Sequence, residues 1–328
     1  MINTVTGPIT NQDLGKTLMH EHIQFGYPGY QGDVTLGAWN KDDAMANIKA
    51  SMDIVNTHGV KTIVDATPNE CGRDAAFLKE VSETFGVQII CSTGFYYERE
   101  GGNAYFKFRS AFIDIVKEIE DMMHTEITKG IADTGVKAGV IKLASSKDQI
   151  TDYERAFFTA GARVSIATGV PIITHTQEGT MGPAQAELLL GLGVPGDQIM
   201  IGHMDGNTNI EYHKKTLDHG VRIAFDRCGV QFIVGMPSDA ERVRIFSELV
   251  KSGYSDRLHL SHDMILNMLG RPLAPSPEMA EQMAPIFERL YIGNIFDNII
   301  PELMASGVTQ EQIDKILHQN PKDIFSAA

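Results

Sequence analysis

The 328-residue chain is short of basic residues and of cysteine, and each shortage argues against a class of protein. Its 28 lysines and arginines stand against 42 aspartates and glutamates, which gives a formal net charge of −14. Because nucleic-acid binding needs a basic surface, this balance argues against a nucleic-acid partner. The cysteines Cys71, Cys91 and Cys228 show no CxxC spacing, so they indicate neither a disulfide framework nor a zinc or redox motif.

The chain also lacks an apolar stretch of about 18 residues, the length that a membrane-spanning helix needs. Its first ten residues, MINTVTGPIT, contain no basic segment followed by an apolar run, so they do not resemble a signal peptide. With 43% hydrophobic and 21% charged residues, the composition favours a folded protein with a large core. We therefore expect a cytoplasmic protein without a membrane partner.

A short apolar run, rich in β-branched residues and ending in polar residues, recurs eight times. The runs are TLMHEH (17–22), TIVDAT (62–67), QIICSTG (88–94), GVIKLA (139–144), PIITHT (171–176), IMIGHM (199–204), VRIAFD (221–226) and LHLSHD (258–263). Their apolar character suits parallel strands buried on both faces. Segments with helical periodicity lie between them, such as 42–59, 73–86 and 240–253. This alternation predicts βαβ units, arranged as a closed barrel or as an open doubly wound sheet.

The number of runs and the chain length favour the barrel. A (β/α)8 TIM barrel needs eight strands and about 250 residues plus insertions. We expect one α/β domain over residues 1–328. Within it, the proline-containing segment 269–278 predicts a long loop after the eighth strand, and the rest of 264–328 predicts closing helices.

The first run ends in His20-Glu21-His22. Side chains two positions apart on a strand point the same way, so both imidazoles are expected to point into the barrel and Glu21 away from it. For this pair alone, a metal site and a hydrogen-bonded polar pair in the core are equally good interpretations.

Three further runs place a donor near their ends: His175 in the fifth run, His203 in the sixth and Asp263 in the eighth. Each of them alone is compatible with a polar residue at the rim. In a parallel barrel, however, the carboxyl ends of all strands meet on one face. Four imidazoles and a carboxylate on that face match the ligands of zinc and related divalent metals, so the set predicts a metal centre.

Lys142 lies inside the apolar fourth run, although lysine is almost never fully buried without a partner. One interpretation is an ammonium group that reaches a carboxylate at the rim. A second is chemical, because burial lowers the pKa of lysine and a neutral amine reacts with carbon dioxide to form a carbamate. Schiff-base formation with a carbonyl substrate is a third.

The pattern of His-x-His on strand one, Lys on strand four, His on strands five and six, and Asp on strand eight resembles the amidohydrolase superfamily. The segments TLMHEH, GVIKLA, PIITHT, IGHMD, FDR and LSHD are similar to the phosphotriesterase family, and especially to its phosphotriesterase-like lactonases. The resemblance runs along essentially the whole chain, with all six ligand positions present in order.

The resemblance implies a binuclear metal centre at the carboxyl ends of the strands. Its ligands would be His20, His22 and Asp263 for the more buried ion, His175 and His203 for the more exposed ion, and Lys142, carboxylated by CO2 to N6-carboxylysine, between both. Zinc is the expected metal, and cobalt, manganese and iron suit the same ligands. Asp263 is the expected catalytic proton acceptor. The family also implies a homodimer.

Two further residues correspond to substrate contacts in the family: Tyr96, in STGFYYE after strand three, and Arg227, in FDRCG after strand seven. Tyr96 is equally compatible with a packing role, with Tyr97 as its alternative, and Arg227 with an ion pair to Asp226 or another acid. The loop after strand seven is short compared with that of some family members. The loop after strand eight offers an apolar channel for an acyl chain, or simply packing, through Met264, Ile265, Leu266, Met268 and Leu269.

We therefore expect a metal-dependent hydrolase that opens lactones, either N-acyl-homoserine lactones or related γ/δ-lactones, by attack of a metal-bridging hydroxide. Hydrolysis of phosphotriesters or other esters is the alternative. A mononuclear deaminase would not need Lys142 and usually carries a His-x-x-Glu proton donor, which no predicted helix contains. A non-catalytic barrel is the remaining class, and loss of ligands is expected there.

Overall fold

The computed structural model describes residues 1–102, 104–233 and 236–326. An antiparallel hairpin of β1 (Ile2–Thr4) and β2 (Gly7–Ile9) precedes eight parallel strands, which neighbour one another in chain order. The eight strands are β3 (Lys16–Glu21), β4 (Val60–Asp65), β5 (Gln88–Gly94), β6 (Val140–Ser145), β7 (Ile172–Thr176), β8 (Ile199–Ile201), β9 (Arg222–Phe225) and β10 (Leu258–Leu260). Each of them falls within or overlaps one of the eight apolar runs.

The sheet closes between its first and last strands through the residues that follow β10. The backbone N–H of His20 donates to Ser261 Oγ at 2.9 Å, and the N–H of Asp263 donates to the carbonyl oxygen of His20 at 3.1 Å. The N–H of His22 donates to the carbonyl oxygen of Met264 at 2.9 Å. These bonds complete the ring, and the predicted (β/α)8 barrel is confirmed.

Helices fill the connections between the strands. They are α1 (Lys41–Thr57), α2 (Ala75–Phe85), α3 (Glu98–Gly101), α4 (Ala104–Arg109), α5 (Ile115–Thr128), α6 (Asp152–Thr168), α7 (Gly182–Gly191), α8 (Ile210–Asp218), α9 (Asp239–Leu249), α10 (Pro277–Phe287), α11 (Ile300–Ala305), α12 (Gln310–Asp314) and α13 (Asn320–Ser326). Side chains of Asn40, Asp74 and Ser238 cap α1, α2 and α9 by accepting backbone N–H groups of the first turn. None of the helices in the described segments has the length and apolarity that crossing a membrane requires.

The barrel interior is filled by a layer of apolar side chains, one from each of seven strands. This layer consists of Met19, Val64, Ile90, Val140, Ile173, Met200 and Ala224. Below it, Ile2 and Leu14 from the first residues meet Ile324 and Phe325 of α13 and close the amino-terminal end of the barrel. The opposite end therefore stays available for a functional site, as is usual in this fold.

Strands β8 and β10 end earlier than their apolar runs predict. β8 stops at Ile201 and β10 at Leu260, two and three residues before His203 and Asp263. Both of these residues adopt a left-handed backbone conformation, with φ of 56° and 55°. An L-residue with this φ cannot continue a strand, so the chain turns at the point where the donor side chains begin.

We expect Gly94→Ala to destabilise the protein strongly, because β5 and β6 approach closely at this glycine. Gly94 has a φ of 143°, and a Cβ atom here would lie 1.8 Å from the carbonyl oxygen of Lys142. Overpacking and backbone strain together should cost about 3 kcal/mol of unfolding free energy, measured by urea titration. Gly191→Ala, where a Cβ atom meets nothing within 4 Å, is the matched control. Equal stability of the two variants would contradict the prediction.

Candidate metal centre and substrate pocket

The apolar layer inside the barrel determines the positions of the polar side chains that follow it along the strands. The next inward position on a strand is two residues further along, so Lys142 stands above Val140 and His175 above Ile173. On β9 the corresponding residue above Ala224 is Asp226, directly after the strand. The polar side chains therefore form the layer that follows the apolar one, at the carboxyl ends of the strands.

Four other predicted ligands gather near the carboxylate of Asp263, which makes a group of five. Oδ1 of Asp263 lies 2.9 Å from Nε2 of His22 and 3.5 Å from Nε2 of His20. Its Oδ2 lies 3.7 Å from Nε2 of His203. The ammonium nitrogen of Lys142 lies 2.9 Å from Nε2 of His20. These side chains come from strands far apart in sequence, and the barrel brings them to one point.

The sixth predicted ligand, His175, lies beside this group. Its ring centroid is 4.5 Å from that of His203, and its Nε2 is 2.8 Å from the side-chain oxygen of Gln177. Tyr97 stacks on its other side, with the ring planes 10° apart. His175 is therefore at the site, but it is not part of the donor clusters found in the described residues.

Asp226, which the sequence analysis treated only as a partner for Arg227, organises two of the histidines. Its fully buried carboxylate accepts Nδ1–H of His20 at 2.7 Å and Nδ1–H of His203 at 2.9 Å. The backbone N–H of His203 also donates to it at 2.7 Å. Burial raises the pKa of Asp226, but the two imidazoles and their hydrogen bonds lower it far more, so the carboxylate is ionised.

The donor set fits a divalent metal. Asp226 fixes the Nδ1–H tautomer of His20 and His203, and Thr67 does the same for His22 by accepting its Nδ1–H at 2.8 Å. Each Nε2 lone pair is thereby left for a ligand on the Asp263 side. Burial lowers the pKa of His20 and lowers that of His203 to about 3, so both rings are neutral at pH 7, the form that binds metals.

The backbone at the site is strained. His203 and Asp263, which face each other across the donor cluster, are both held in the left-handed region. Such conformations cost roughly 1–3 kcal/mol each and persist only where the surroundings enforce them. The buried carboxylate of Glu21 supplies part of that enforcement, because it accepts the backbone N–H groups of His262 and Met264 at 3.0 and 2.9 Å. Glu21 thus points away from the donor cluster, as expected, into a fully buried position.

Lys142 is held in an environment that favours a neutral amine. Only 1% of its surface is exposed, and burial lowers its pKa to about 8 against the attraction of Asp263 and Asp226. About one tenth of the amine is therefore unprotonated at pH 7, far more than for a lysine in water. This is the state that the carbamate interpretation and the Schiff-base interpretation both require.

Two adjoining cavities open from the donor cluster towards the surface. The inner one, of about 70 Å³, contacts His22, Lys142, His175 and His203, and the outer one has a volume of about 370 Å³. Both cavities are bordered by Tyr27, Tyr96, Arg227, Asp263 and Ile265. The donor cluster is therefore accessible to a small molecule.

Tyr96, and not its neighbour Tyr97, borders these cavities. Burial raises the pKa of the Tyr96 phenol well above 10, so the hydroxyl remains a hydrogen-bond donor at neutral pH. Arg227 also borders both cavities, and its Nε donates to Asp263 Oδ2 at 2.9 Å. Its acidic partner is thus Asp263, one of the predicted ligands, rather than Asp226.

The wall of the outer cavity is largely apolar. Met264, Ile265 and Met268 from the loop after β10 line it, together with Val230, Ile233 and Met236 from the loop after β9. Val234 and Gly235 of that second loop lie outside the described residues. Leu266 and Leu269 of the same loop are buried and do not border this cavity.

We expect Asp226→Asn to weaken metal binding about 10- to 100-fold, because the neutral amide no longer polarises the two imidazoles or fixes their tautomers. Competition with a chromophoric chelator measures this affinity. Asp53→Asn, a change at a side chain that is 58% exposed, serves as the matched control and should bind metal like the wild type. An Asp226→Asn affinity within twofold of the wild type would contradict the role assigned to this carboxylate.

We expect carboxylation of Lys142 in the metal-free protein to become less complete as the pH falls below about 8. Carbamate formation needs the unprotonated amine, whose fraction falls tenfold for each pH unit below the pKa. The measurement is 13C NMR with labelled CO2, at a fixed concentration of dissolved CO2, between pH 6 and 9. Lys142→Arg is the control and should give no carbamate signal at this site. A signal that does not change with pH would refute the expectation.

Comparison with known proteins agrees with this architecture. The model of the phosphotriesterase family matches residues 1–325. An aryldialkylphosphatase from Saccharolobus solfataricus is 35% identical over 320 residues, which cover 97% of each chain. An organophosphorus hydrolase from Deinococcus radiodurans has a solved structure that is 55% identical, with a TM-score of 0.96 over 99% of this chain and 96% of that chain.

A mutant of a PTE-like lactonase from the same organism gives the same TM-score of 0.96, at 53% identity over 99% of this chain and 100% of that chain. The relatives are thus named for the hydrolysis of organophosphates and of lactones. The match covers nearly the whole length in every case. This chain is therefore a hydrolase and belongs to the phosphotriesterase family.

Proposed function

We propose that this protein is a binuclear metal-dependent lactonase whose substrates are N-acyl-homoserine lactones or related γ/δ-lactones. The observation that carries the proposal is the junction of two different environments. A buried cluster of metal-binding side chains opens directly into a cavity of about 370 Å³ with an apolar wall. In an acyl-homoserine lactone, the polar ring that is opened matches the cluster, and the apolar acyl chain matches the cavity wall.

Six side chains would hold the two ions: His20, His22 and Asp263 the inner one, His175 and His203 the outer one, and carboxylated Lys142 both of them. When bound, the ions activate a water molecule near neutral pH and polarise the carbonyl oxygen under attack. The clustering of three imidazoles around Asp263 supports this assignment. Zinc is the metal that we propose.

The protein's own groups supply the proton transfer and the orientation. Burial raises the pKa of Asp263, but the positive charge of Arg227 beside it helps to hold this pKa well below the ordinary value, so Asp263 is ionised. Its carboxylate would accept the proton that the attacking water loses. Arg227 stays charged and orients this carboxylate through the 2.9 Å hydrogen bond to Oδ2. The Tyr96 hydroxyl donates a hydrogen bond to the ring or leaving oxygen of the substrate.

The apolar wall would bind the acyl chain. Met264, Ile265 and Met268 present a continuous apolar border beside the polar cluster. Burial of each methylene group contributes about 0.8 kcal/mol to binding. A compact phosphotriester leaves most of this wall uncovered, so the wall favours a chain-bearing lactone. Phosphotriester hydrolysis is the second candidate, and the names of the relatives from Saccharolobus and Deinococcus favour it.

We expect the zinc- and bicarbonate-loaded enzyme to open lactones with a higher kcat/KM than it shows on paraoxon. Among acyl-homoserine lactones, kcat/KM should rise with chain length by up to about fourfold per methylene until the wall is covered. Met268→Glu should flatten this dependence, since it places a charge on the wall. Met304→Glu, a change at a similarly exposed methionine outside the cavity, should not.

Two results would count against the proposal. Failure to open any lactone in a broad panel would reject the substrate class, and faster turnover of paraoxon would favour the second candidate. Full activity after removal of metal by a chelator would reject the metal-dependent reaction itself.

A further inference from the structure

Arg242, in the first turn of α9, is the largest side chain that the described part of the chain buries completely, with 1% of its surface exposed. An arginine is almost never buried in full unless partners surround its guanidinium group. Arg242 borders neither cavity and belongs to neither donor cluster. The proposed reaction therefore does not account for the burial of Arg242.

The guanidinium group joins three separate segments. Its Nε donates to Asp205 Oδ2 at 2.7 Å, and its two terminal nitrogens donate to Asp239 Oδ1 at 2.9 Å and to the carbonyl oxygen of Val230 at 2.5 Å. Asp205 follows β8, Val230 lies between β9 and α9, and Asp239 begins α9. Because the fork of an arginine is planar and rigid, these bonds fix the three segments relative to one another.

The same two carboxylates also hold the loop between β9 and α9. Oδ2 of Asp205 accepts the backbone N–H of Arg227 at 3.1 Å, and Oδ1 of Asp239 accepts the backbone N–H of Gly229 at 3.0 Å. Gly229 has a φ of 100°, and a Cβ atom here would lie 2.3 Å from the carbonyl oxygen of Arg289. The loop is thus confined by packing on one side and by the Arg242 network on the other.

Arg227 and Val230 are among the groups of this loop that border the pocket. Arg227 donates to Asp263 at 2.9 Å, and Val230 lines the outer cavity. The bonds from Arg242 reach the loop directly at Val230 and through Asp205 at Arg227. Loss of the guanidinium group would remove the ion-pair partner of the buried Asp205 and would leave Asp239 only the more distant Arg289, whose Nη1 lies 3.8 Å from Oδ2, so both carboxylates would be destabilised.

We infer that Arg242 is a positioning residue for the hydrolytic reaction, acting through Asp205 and Asp239 to fix Arg227 and the adjoining pocket wall. Its kinetic consequence rests on the proposed function. Its structural consequence, the immobilisation of residues 227–230, does not depend on the substrate. A displacement of about 1 Å in a group that orients the reaction lowers turnover by up to 100-fold.

Hydrogen exchange tests the structural part on the full-length enzyme loaded with zinc. In R242K and R242M, backbone N–H groups of residues 227–231 should exchange at least tenfold faster than in the wild type. R244M is the matched control, because Arg244 lies on the same helix with 52% of its side chain exposed and pairs with Glu241. Unchanged exchange of the loop in R242K and R242M would overturn the inference, whatever substrate the enzyme uses.

A double-mutant cycle tests the kinetic part on whichever substrate the wild type hydrolyses, lactone or phosphotriester. R242K should lower kcat/KM about tenfold in the wild-type background but less than threefold in the R227A background, because it acts through Arg227. R244M should leave kcat/KM unchanged in both. Equal losses from R242K in the two backgrounds would show a general structural role and overturn the inference. R242K keeps the buried positive charge, so the cycle remains measurable even where R242M does not fold.

Discussion

The carboxylate of Asp226 is the interaction on which the rest of the site depends. It lies just above the apolar layer inside the barrel and accepts three hydrogen bonds, two from imidazoles and one from the backbone. Those bonds keep the carboxylate ionised, and the ionised carboxylate in turn fixes the tautomers of His20 and His203. Both rings therefore present Nε2 to the same point. Asp226 thus links the ends of β3, β8 and β9. It fixes the orientations of the His20 and His203 rings, which the strand backbones alone would not determine.

The sequence was sufficient for the barrel and for the polar residues that interrupt its strands. Continuous β-branched runs predict buried parallel strands, and a lysine such as Lys142 inside such a run is conspicuous because burial of an ammonium group is unfavourable. The left-handed backbone conformations of His203 and Asp263 could not be predicted from the sequence, because they depend on contacts between distant segments. The sequence showed Asp226 at a strand end, but its hydrogen bonds to His20 and His203 are known only from the closed barrel. Arg242 reads like a surface residue of a helix, and its burial follows from how α9 packs.

The rigid and the variable parts of the pocket have different origins. The side chains of the donor cluster lie on strands or within three residues of a strand end, whereas the apolar wall comes from the loops after β9 and β10. A barrel of this kind can therefore keep one hydrolytic centre and exchange the molecule that it accepts by changing loops. Solved structures from Deinococcus radiodurans that are named for organophosphate hydrolysis and for lactone opening have nearly the same backbone as this chain, which is what such a division would produce.

The way the ring closes has a consequence for how the protein matures. The seam between β3 and β10 is sealed by bonds between residues about 240 positions apart, and the same seam brings Asp263 to the two histidines of β3. Contacts of such long range form late in folding, since the intervening chain must first be organised. Before this seam closes, the histidines of β3 lack Asp263 beside them, so the proposed metal site is complete only once the barrel has closed.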